Sequence, residues 1–287
     1  MALGILGGSG FYRMAGVSIR KEHVISTPFG EPSSPIFEVE YEGKTFFFLA
    51  RHGVNHSYLP SEVPYRANIY ACKQVGITHL VGICAVGSMH EEFHPGNMVV
   101  PDQIFDSTKG LRERSFFGEG IVGHVAFANP FCQQLREQLI TLAQNQGNTV
   151  LNQGTYVCVE GPRFSSRAES HFLRETLRPV AIGMTAMPEA LLAREAEISY
   201  AILGLGTDYD CWHQTEKPVQ VEDVLEVIHA NSERATRVVL ALELPENRAC
   251  SCQRAAKDAI MTPSHAIPDT TKKRLELLYG KYWSQQR

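Results

Sequence analysis

The stretch Ile198-Ser-Tyr-Ala-Ile-Leu-Gly-Leu-Gly-Thr-Asp-Tyr-Asp-Cys-Trp212 decides the fold and points to the site. Its first eight residues are mostly apolar or small, which is typical of a strand buried on both faces of a parallel or mixed sheet. Asp208 and Asp210 come just beyond the carboxyl end of that strand. Because open α/β sheets bind ligands at this edge, the stretch predicts an α/β fold with two carboxylates at a ligand site.

The spacing of Asp208 and Asp210 also indicates the chemistry of the ligand. Two carboxylates one residue apart repel each other at a half-buried edge unless they share a proton or accept hydrogen bonds. A purine with an exocyclic amino group meets both needs, because its ring nitrogen takes a proton and its N–H donates. A solvated loop pair is the ordinary explanation of Asp-x-Asp alone, and the other motifs of the chain favour the ligand instead.

Composition and charge limit the class of protein. The chain has 287 residues, of which 44% are hydrophobic and 20% charged, as in ordinary globular proteins. A net charge of −4 gives no electrostatic reason to expect nucleic acid. There is no apolar run of transmembrane length, and the start lacks the basic residues and cleavage pattern of a signal peptide. We therefore expect a cytoplasmic protein without nucleic-acid or membrane partners.

The seven cysteines predict neither a disulfide framework nor a metal site. An odd count argues against paired disulfides, and no Cys/His group has the sequence spacing of a zinc site. The unusual pair is Cys250-Ser-Cys252, which we interpret as two reduced surface thiols. A redox-sensitive clip is the alternative.

Strand-like apolar runs alternate with helical periodicity along the chain. Strands are predicted at 3–7, 45–50, 79–86, 97–104, 155–160, 180–184 and 199–205. Helices are predicted after Pro64, from an Asn129-Pro130 N-cap to Gly147, from within 160–169, from Pro188, from Val221 and over 271–283. This alternation predicts a single-domain α/β sandwich, with a central mixed sheet flanked by helices. Its core spans about 3–240 and a C-terminal extension about 244–287.

Four predicted strand ends carry groups that suit an anion. Glycines let backbone N–H groups approach closely, hydroxyls donate, and an arginine offers a bidentate fork. Each group alone is weak evidence, but the convergence of four predicts a phosphate site. The four are Ser9 in Gly7-Gly8-Ser9-Gly10, the pair Arg51-His52, the backbone at Ala85, and Thr185.

The segment Glu160-Gly-Pro-Arg-Phe-Ser-Ser-Arg-Ala-Glu169 closes one strand and opens a helix. Phe164 offers a ring that can stack on a base, and Ser165 or Ser166 can cap the helix. A core phenylalanine next to a capped helix is the structural alternative, and both interpretations can hold together.

These motifs together resemble the 5′-methylthioadenosine phosphorylases, a trimeric branch of the purine nucleoside phosphorylases. The resemblance spans residues 3 to about 240 and implies a nucleoside phosphorylase-like fold. The strings 160–169 and 207–212 are the most specific. The matching segments are 7–10, 27–30, 49–53, 85–88, 160–169, 184–189 and 207–212.

The resemblance implies a role for each matching residue. Phosphate would be held by Ser9, Arg51, His52, Cys84, Ala85 and Thr185. Ribose would meet the Met184 backbone, and the base would lie among Phe164, Ser165, Asp208 and Asp210. The 5′-methylthio group would contact Val221, Val224 and Leu225, with His124 supplied by a neighbouring subunit. Cys84 stands where the family often has threonine, so its side chain is only a weak donor.

The implied reaction is phosphorolysis with Asp208 as general acid at N7 of adenine. Phosphate is a co-substrate, and no metal or organic cofactor is implied. A homotrimer is expected, with a homohexamer as the alternative. Competing interpretations are a phosphorylase for 6-oxopurine nucleosides or 5′-methylthioinosine, a hydrolase that uses water, and a nucleoside-binding protein without turnover.

Overall fold

A mixed β-sheet of eleven strands lies at the centre of the computed structural model, which describes residues 1–7, 16–213, 221–244 and 250–283. Of the side chains of 221–230, only that of Val227 is described. The strands are β1 (Ala2–Gly7), β2 (Ser18–His23), β3 (Ile36–Tyr41), β4 (Lys44–Ala50), β5 (Ile77–Ser88), β6 (Met98–Val99), β7 (Gln103–Ser107), β8 (Val150–Leu151), β9 (Thr155–Val159), β10 (Ala181–Gly183) and β11 (Ser199–Asp208).

The pairing of the strands places several carboxyl ends at one edge. Strand β1 runs parallel to β4 and β5, and β5 runs parallel to β11. Strand β10 runs antiparallel to β5, so it returns along the end of that long strand. Because β5 continues to Ser88, Cys84 and Ala85 lie inside it, where we had predicted that Ala85 follows the strand.

Helices cover both faces of the sheet, as the sequence predicts for an α/β sandwich. They are α1 (Tyr65–Gln74), α2 (Gln133–Asn145), α3 (Arg167–Leu177), α4 (Ala186–Glu195), α5 (Val221–Leu240) and α6 (Asp269–Tyr279). Side chains of α1, α4 and α6 share one apolar core, and those of α2 and α5 share another. Among the described residues, no helix is both long and apolar enough to cross a membrane.

Three local predictions were wrong. Helix α2 begins at Gln133 with Cys132 as N-cap, a few residues after the predicted Asn129-Pro130 start. The predicted strand 97–104 is two strands, β6 and β7, because Pro101 between them has no N–H to donate to a ladder. Strands β2 and β3 were not predicted, and they extend the sheet by antiparallel pairing beyond β4.

Candidate active site

The carboxylate pair lies where β11 ends. Asp208 accepts hydrogen bonds at both oxygens, from the Thr207 hydroxyl at 2.7 Å and from the Asp210 backbone N–H at 2.7 Å. Asp210 has a φ of 50°, a left-handed conformation that aspartate tolerates better than most residues. The turn after β11 thus fixes Asp208, and Asp210 is buried beside it.

Gly87 makes room for this pair, and sequence reasoning had not given it that role. It is the partner of Asp208 in the pairing of β5 with β11. A Cβ at Gly87 would lie 3.0 Å from Asp208 Oδ1 and 3.5 Å from the Asp210 Cβ. Any larger residue there would push the carboxylate away, so this glycine is needed for close approach rather than for turn geometry.

The surroundings of Asp208 favour its protonated form. Burial raises the pKa of Asp208 and is the largest cause, and the neighbouring Asp210 raises it further. The hydrogen bonds from Thr207 and from the Asp210 N–H act in the opposite direction. A raised pKa moves a carboxyl group towards the range in which it can serve as a general acid.

The loop after β9 meets the turn after β11. The Ser165 carbonyl accepts from the Cys211 thiol at 3.2 Å, which brings the predicted base-binding residues next to Asp210. Ser166 is the N-cap of α3 and forms a capping box with Glu169, so the predicted cap is confirmed. The Phe164 side chain is 40% exposed and leaves an aromatic ring available for stacking.

Strand β10 leads to Thr185, which lies next to Cys84 of β5, so two of the predicted phosphate residues are neighbours. The Thr185 hydroxyl lies 3.5 Å from Cys84 Sγ, and both residues are buried. Ala85 is exposed, so its backbone is open to a ligand. Thr185 is also the N-cap of α4 and its hydroxyl makes no capping bond. Because Met187 inside α4 has non-helical backbone angles, the donor offered to an anion here is the Thr185 hydroxyl rather than a regular helix N-terminus.

Arg51 differs from its predicted arrangement. Its guanidinium fork is taken by Glu189, with Nε 2.6 Å from one carboxylate oxygen and Nη2 2.9 Å from the other. It also donates to the carbonyls of Leu6 and Ile83. The bidentate face that we predicted for phosphate is therefore occupied by a buried carboxylate. No sequence signal indicated this pair, because the two residues are 138 positions apart.

His52 is held neutral. Burial, then the charge of Arg51, lowers the pKa of His52 to about 4. Its Nδ1 lies 2.9 Å from the Tyr58 carbonyl, which can only accept, so the proton of the neutral ring is on Nδ1. Nε2 then accepts. The resemblance places His52 among the phosphate ligands, but the neutral ring presents an acceptor at Nε2.

Arg112 organises the ribose side of the site, and no sequence motif had pointed to it. The guanidinium is buried and donates to the Met184 carbonyl at 2.7 Å. It also pairs with the Glu160 carboxylate at 2.8 Å and donates to the Glu160 carbonyl. These bonds join the ends of β9 and β10. Arg112 thus fixes the Met184 backbone, which the resemblance assigns to the ribose hydroxyls.

The remaining predicted residues lie apart from this cluster or outside the described part. His124 is exposed, and its N–H donates to the Ala259 carbonyl at 2.9 Å, in the C-terminal segment. Ser9 lies outside the described residues. Val221, Val224 and Leu225 are on α5, but their side chains are among those not described.

The Cys250-Ser-Cys252 pair corrects another expectation. Both thiols are buried, not at the surface, and Cys132 lies with them. This cluster is built from the N-terminus of α2 and the C-terminal segment, away from the carboxylate pair.

An α/β sheet with a buried carboxylate pair at a strand end suits the class of enzymes that cleave a bond with an acid and an anionic nucleophile. The sequence profile of the Phosphorylase superfamily matches residues 2–242, and the chain belongs to this family. It is 45% identical over 282 residues to the S-methyl-5′-thioadenosine phosphorylase of Geobacter sulfurreducens, covering 98% of each chain. The enzyme of that name from Chloroflexus aurantiacus is 46% identical, again over 98% of each chain.

Solved structures show the same fold. A methylthioadenosine phosphorylase from an antarctic soil metagenomic library superposes with a TM-score of 0.88 at 44% identity, covering 96% of this chain and 98% of that one. The methylthioadenosine phosphorylase from Schistosoma mansoni, in complex with adenine, gives a TM-score of 0.76 at 36% identity. The match covers 84% of this chain and 91% of the Schistosoma chain.

Proposed function

We propose that the protein catalyses phosphorolysis of 5′-methylthioadenosine to adenine and 5-methylthioribose 1-phosphate. The observation that carries the proposal is Asp208, a carboxyl group with a raised pKa, fixed at a strand end against Gly87 and next to Asp210. The activity named for the relatives described above supports the choice of nucleoside.

Adenine leaves poorly as an anion, so protonation of its N7 is the main requirement of the reaction. Asp208 gives this proton while the glycosidic bond breaks, and Asp210 accepts from the 6-amino group. Both oxygens of Asp208 already accept local hydrogen bonds, so its orientation is set before the nucleoside binds. Phe164 and the Ser165 backbone line the base.

Phosphate is the nucleophile and also stabilises the positive charge that grows on the sugar ring. Its oxygens meet the Thr185 hydroxyl, the backbone at Cys84 and Ala85, and Ser9. A phosphate dianion next to His52 favours the charged ring, so binding draws a proton onto Nε2 and turns that atom into a donor. Arg51 acts mainly through its charge, because Glu189 occupies its fork.

The other parts of the proposal concern the nucleoside tail and the assembly. Val221, Val224 and Leu225 form an apolar pocket for the 5′-methylthio group, and the protein is a cytoplasmic homotrimer in which His124 of a neighbouring subunit closes this pocket. The reaction itself uses no metal or organic cofactor, because Asp208 protonates the leaving group and phosphate is the nucleophile.

The second candidate is a phosphorylase for 6-oxopurine nucleosides or 5′-methylthioinosine, which the acidic pair disfavours because O6 needs a donor where Asp210 offers an acceptor. A side-by-side assay with phosphate separates the two. We expect 5′-methylthioadenosine to be cleaved much faster than 5′-methylthioinosine, with a sugar phosphate visible by ³¹P NMR. Faster cleavage of 5′-methylthioinosine would contradict the role given to Asp208 and Asp210.

A further inference from the structure

Three cysteines converge at a point that the proposed reaction does not use. The Sγ atoms of Cys132, Cys250 and Cys252 all lie within 4.8 Å of one another, and all three residues are buried. The Cys132 and Cys250 sulfurs are 3.3 Å apart. Sequence spacing could not reveal the group, because these two cysteines are 118 residues apart in the chain.

The three thiols come from two separate elements. Cys132 is the N-cap of α2, and its side chain makes no capping bond, so the sulfur is not committed to the helix. Cys250 and Cys252 belong to a short 3₁₀ turn that follows the undescribed residues 245–249. Within the turn, the Cys252 N–H donates to Cys250 Sγ at 3.4 Å. Such N–H···S bonds hold sulfur ligands in place and stabilise thiolate charge.

We propose that Cys132, Cys250 and Cys252 bind one zinc ion through three thiolates. Zn–S bonds of about 2.3 Å in a tetrahedron place neighbouring sulfurs about 3.8 Å apart. The observed sulfurs, all within 4.8 Å of one another and 3.3 Å apart for Cys132 and Cys250, have spacings close to that value. Thiolate sulfur is a preferred ligand of zinc, and binding releases the thiol protons to solvent.

The surroundings match the charge of such a site. Three thiolates and one Zn²⁺ leave a single negative charge, and the Arg194 guanidinium lies against the group, with Nη1 3.5 Å from Cys252 Sγ. The positive N-terminal end of α2 at Cys132 adds to this compensation. A buried site with balanced charge costs much less than an isolated ion.

The group also has an entry path and room for a fourth ligand. A cleft of about 460 Å³ opens onto Cys250 and Cys252, with Arg194, Arg136 and Asn129 among its lining residues. A water molecule from this cleft can complete a tetrahedral zinc. A disulfide is the competing outcome of the same proximity, but it uses two sulfurs, whereas three converge here.

The test measures zinc binding by the full-length, reduced protein and by three variants. Wild type should retain one Zn²⁺ per chain after gel filtration, and Co²⁺ in its place should show the intense sulfur-to-metal absorption of a thiolate site. Cys132→Ser and Cys252→Ser should lower the zinc affinity by at least about 10-fold. Serine is a good N-cap, so Cys132→Ser keeps α2 intact. Cys72→Ala, in α1, is the matched control and should bind zinc as wild type does.

Zinc should also raise the melting temperature of wild type and of Cys72→Ala, because it ties the start of α2 to the C-terminal segment. At the same zinc concentration, the shift should be much smaller in the two cluster variants. Reduced wild type that retains no zinc, or equal affinity in the cluster variants, would overturn the proposal. So would a disulfide within the cluster whose reduction yields a protein that still fails to bind zinc.

Discussion

At the scale of single residues, the account depends on the proton of Asp208. Asp208→Asn keeps the size of the side chain but cannot supply that proton. We expect adenine release from 5′-methylthioadenosine to fall by about 10²-fold or more, the usual contribution of a general acid. The amide suits the N7/O6 edge of a 6-oxopurine, so cleavage of 5′-methylthioinosine should fall much less.

The exposed Asp258 provides the control for this substitution. Asp258→Asn makes the same chemical change at an exposed side chain outside the carboxylate pair and should leave both activities at the wild-type level. Equal losses on both nucleosides in Asp208→Asn would indicate general damage to the site. Unchanged turnover of 5′-methylthioadenosine would remove Asp208 from the acid role.

Glu195 is a buried carboxyl group outside the site that should make stability depend on pH. Burial raises the pKa of Glu195 from 4.5 to about 7, against hydrogen bonds from the Phe116 N–H and the Ser115 hydroxyl. Because the folded state holds this proton to higher pH, the stabilisation is complete below about pH 4.5 and is lost as the pH rises through about 7.

The comparison with Glu195→Gln isolates this effect. Relative to the variant, wild type should lose up to about 3 kcal/mol of unfolding free energy as the pH rises from about 4 to about 8. Denaturant unfolding at fixed protein concentration measures it. A difference that does not change with pH would mean that Glu195 titrates normally.

At the scale of elements, the Arg51–Glu189 pair ties the end of β4 to α4. Gly82 on β5 leaves room for it, since a Cβ there would lie 3.0 Å from Glu189 Oε1 and 3.2 Å from Arg51 Nη2. Arg51→Met leaves the Glu189 carboxylate buried without its cation and should lower the unfolding free energy by about 3–5 kcal/mol. Adding Glu189→Gln, which removes the charge and keeps an acceptor for Tyr200, should recover part of the loss.

Thermal and denaturant unfolding of Arg51→Met and of the double variant measure this coupling. Near-wild-type stability of Arg51→Met with a large loss of phosphate affinity would contradict the structural role. That result would support the sequence-based assignment, in which the Arg51 guanidinium binds phosphate directly.

The same elements show how far the sequence alone could reach. The buried strand β11 and the N-terminal cap of α3 could be predicted because their signals are local. Strand β11 is a continuous apolar run, and the cap of α3 is a serine three residues before a glutamate. The α/β sandwich followed from the alternation of strands and helices. The antiparallel strands β2 and β3 were missed because their residues are more polar and β2 is largely exposed.

Long-range pairing is what the sequence could not supply. The Arg51–Glu189 pair, the Arg112 contacts and the three-cysteine group each join residues far apart in the chain. Motifs indicated the position of Asp208 and its strand end. They could not show that Gly87 lies against it, because that contact depends on the register between β5 and β11.

At the scale of the whole molecule, the proposed trimer places His124 in the site of a neighbouring subunit. Mixed trimers test this directly: Asp208→Asn and His124→Ala, each weakly active alone, should regain activity when unfolded together and refolded. Recovery requires that one site take its Asp208 and its His124 from different chains. Sedimentation equilibrium checks the trimer, and no recovery in confirmed mixed trimers would place His124 outside the neighbouring site.

The central claim is that phosphate, not water, attacks the nucleoside at the edge of the sheet where Asp208 and Thr185 lie. The most direct test is the initial rate of adenine release from 5′-methylthioadenosine as inorganic phosphate is titrated from zero. The account predicts no release without phosphate and a rate that rises to saturation as phosphate fills the site. Adenine released at the same rate without phosphate would make the protein a hydrolase and contradict the account.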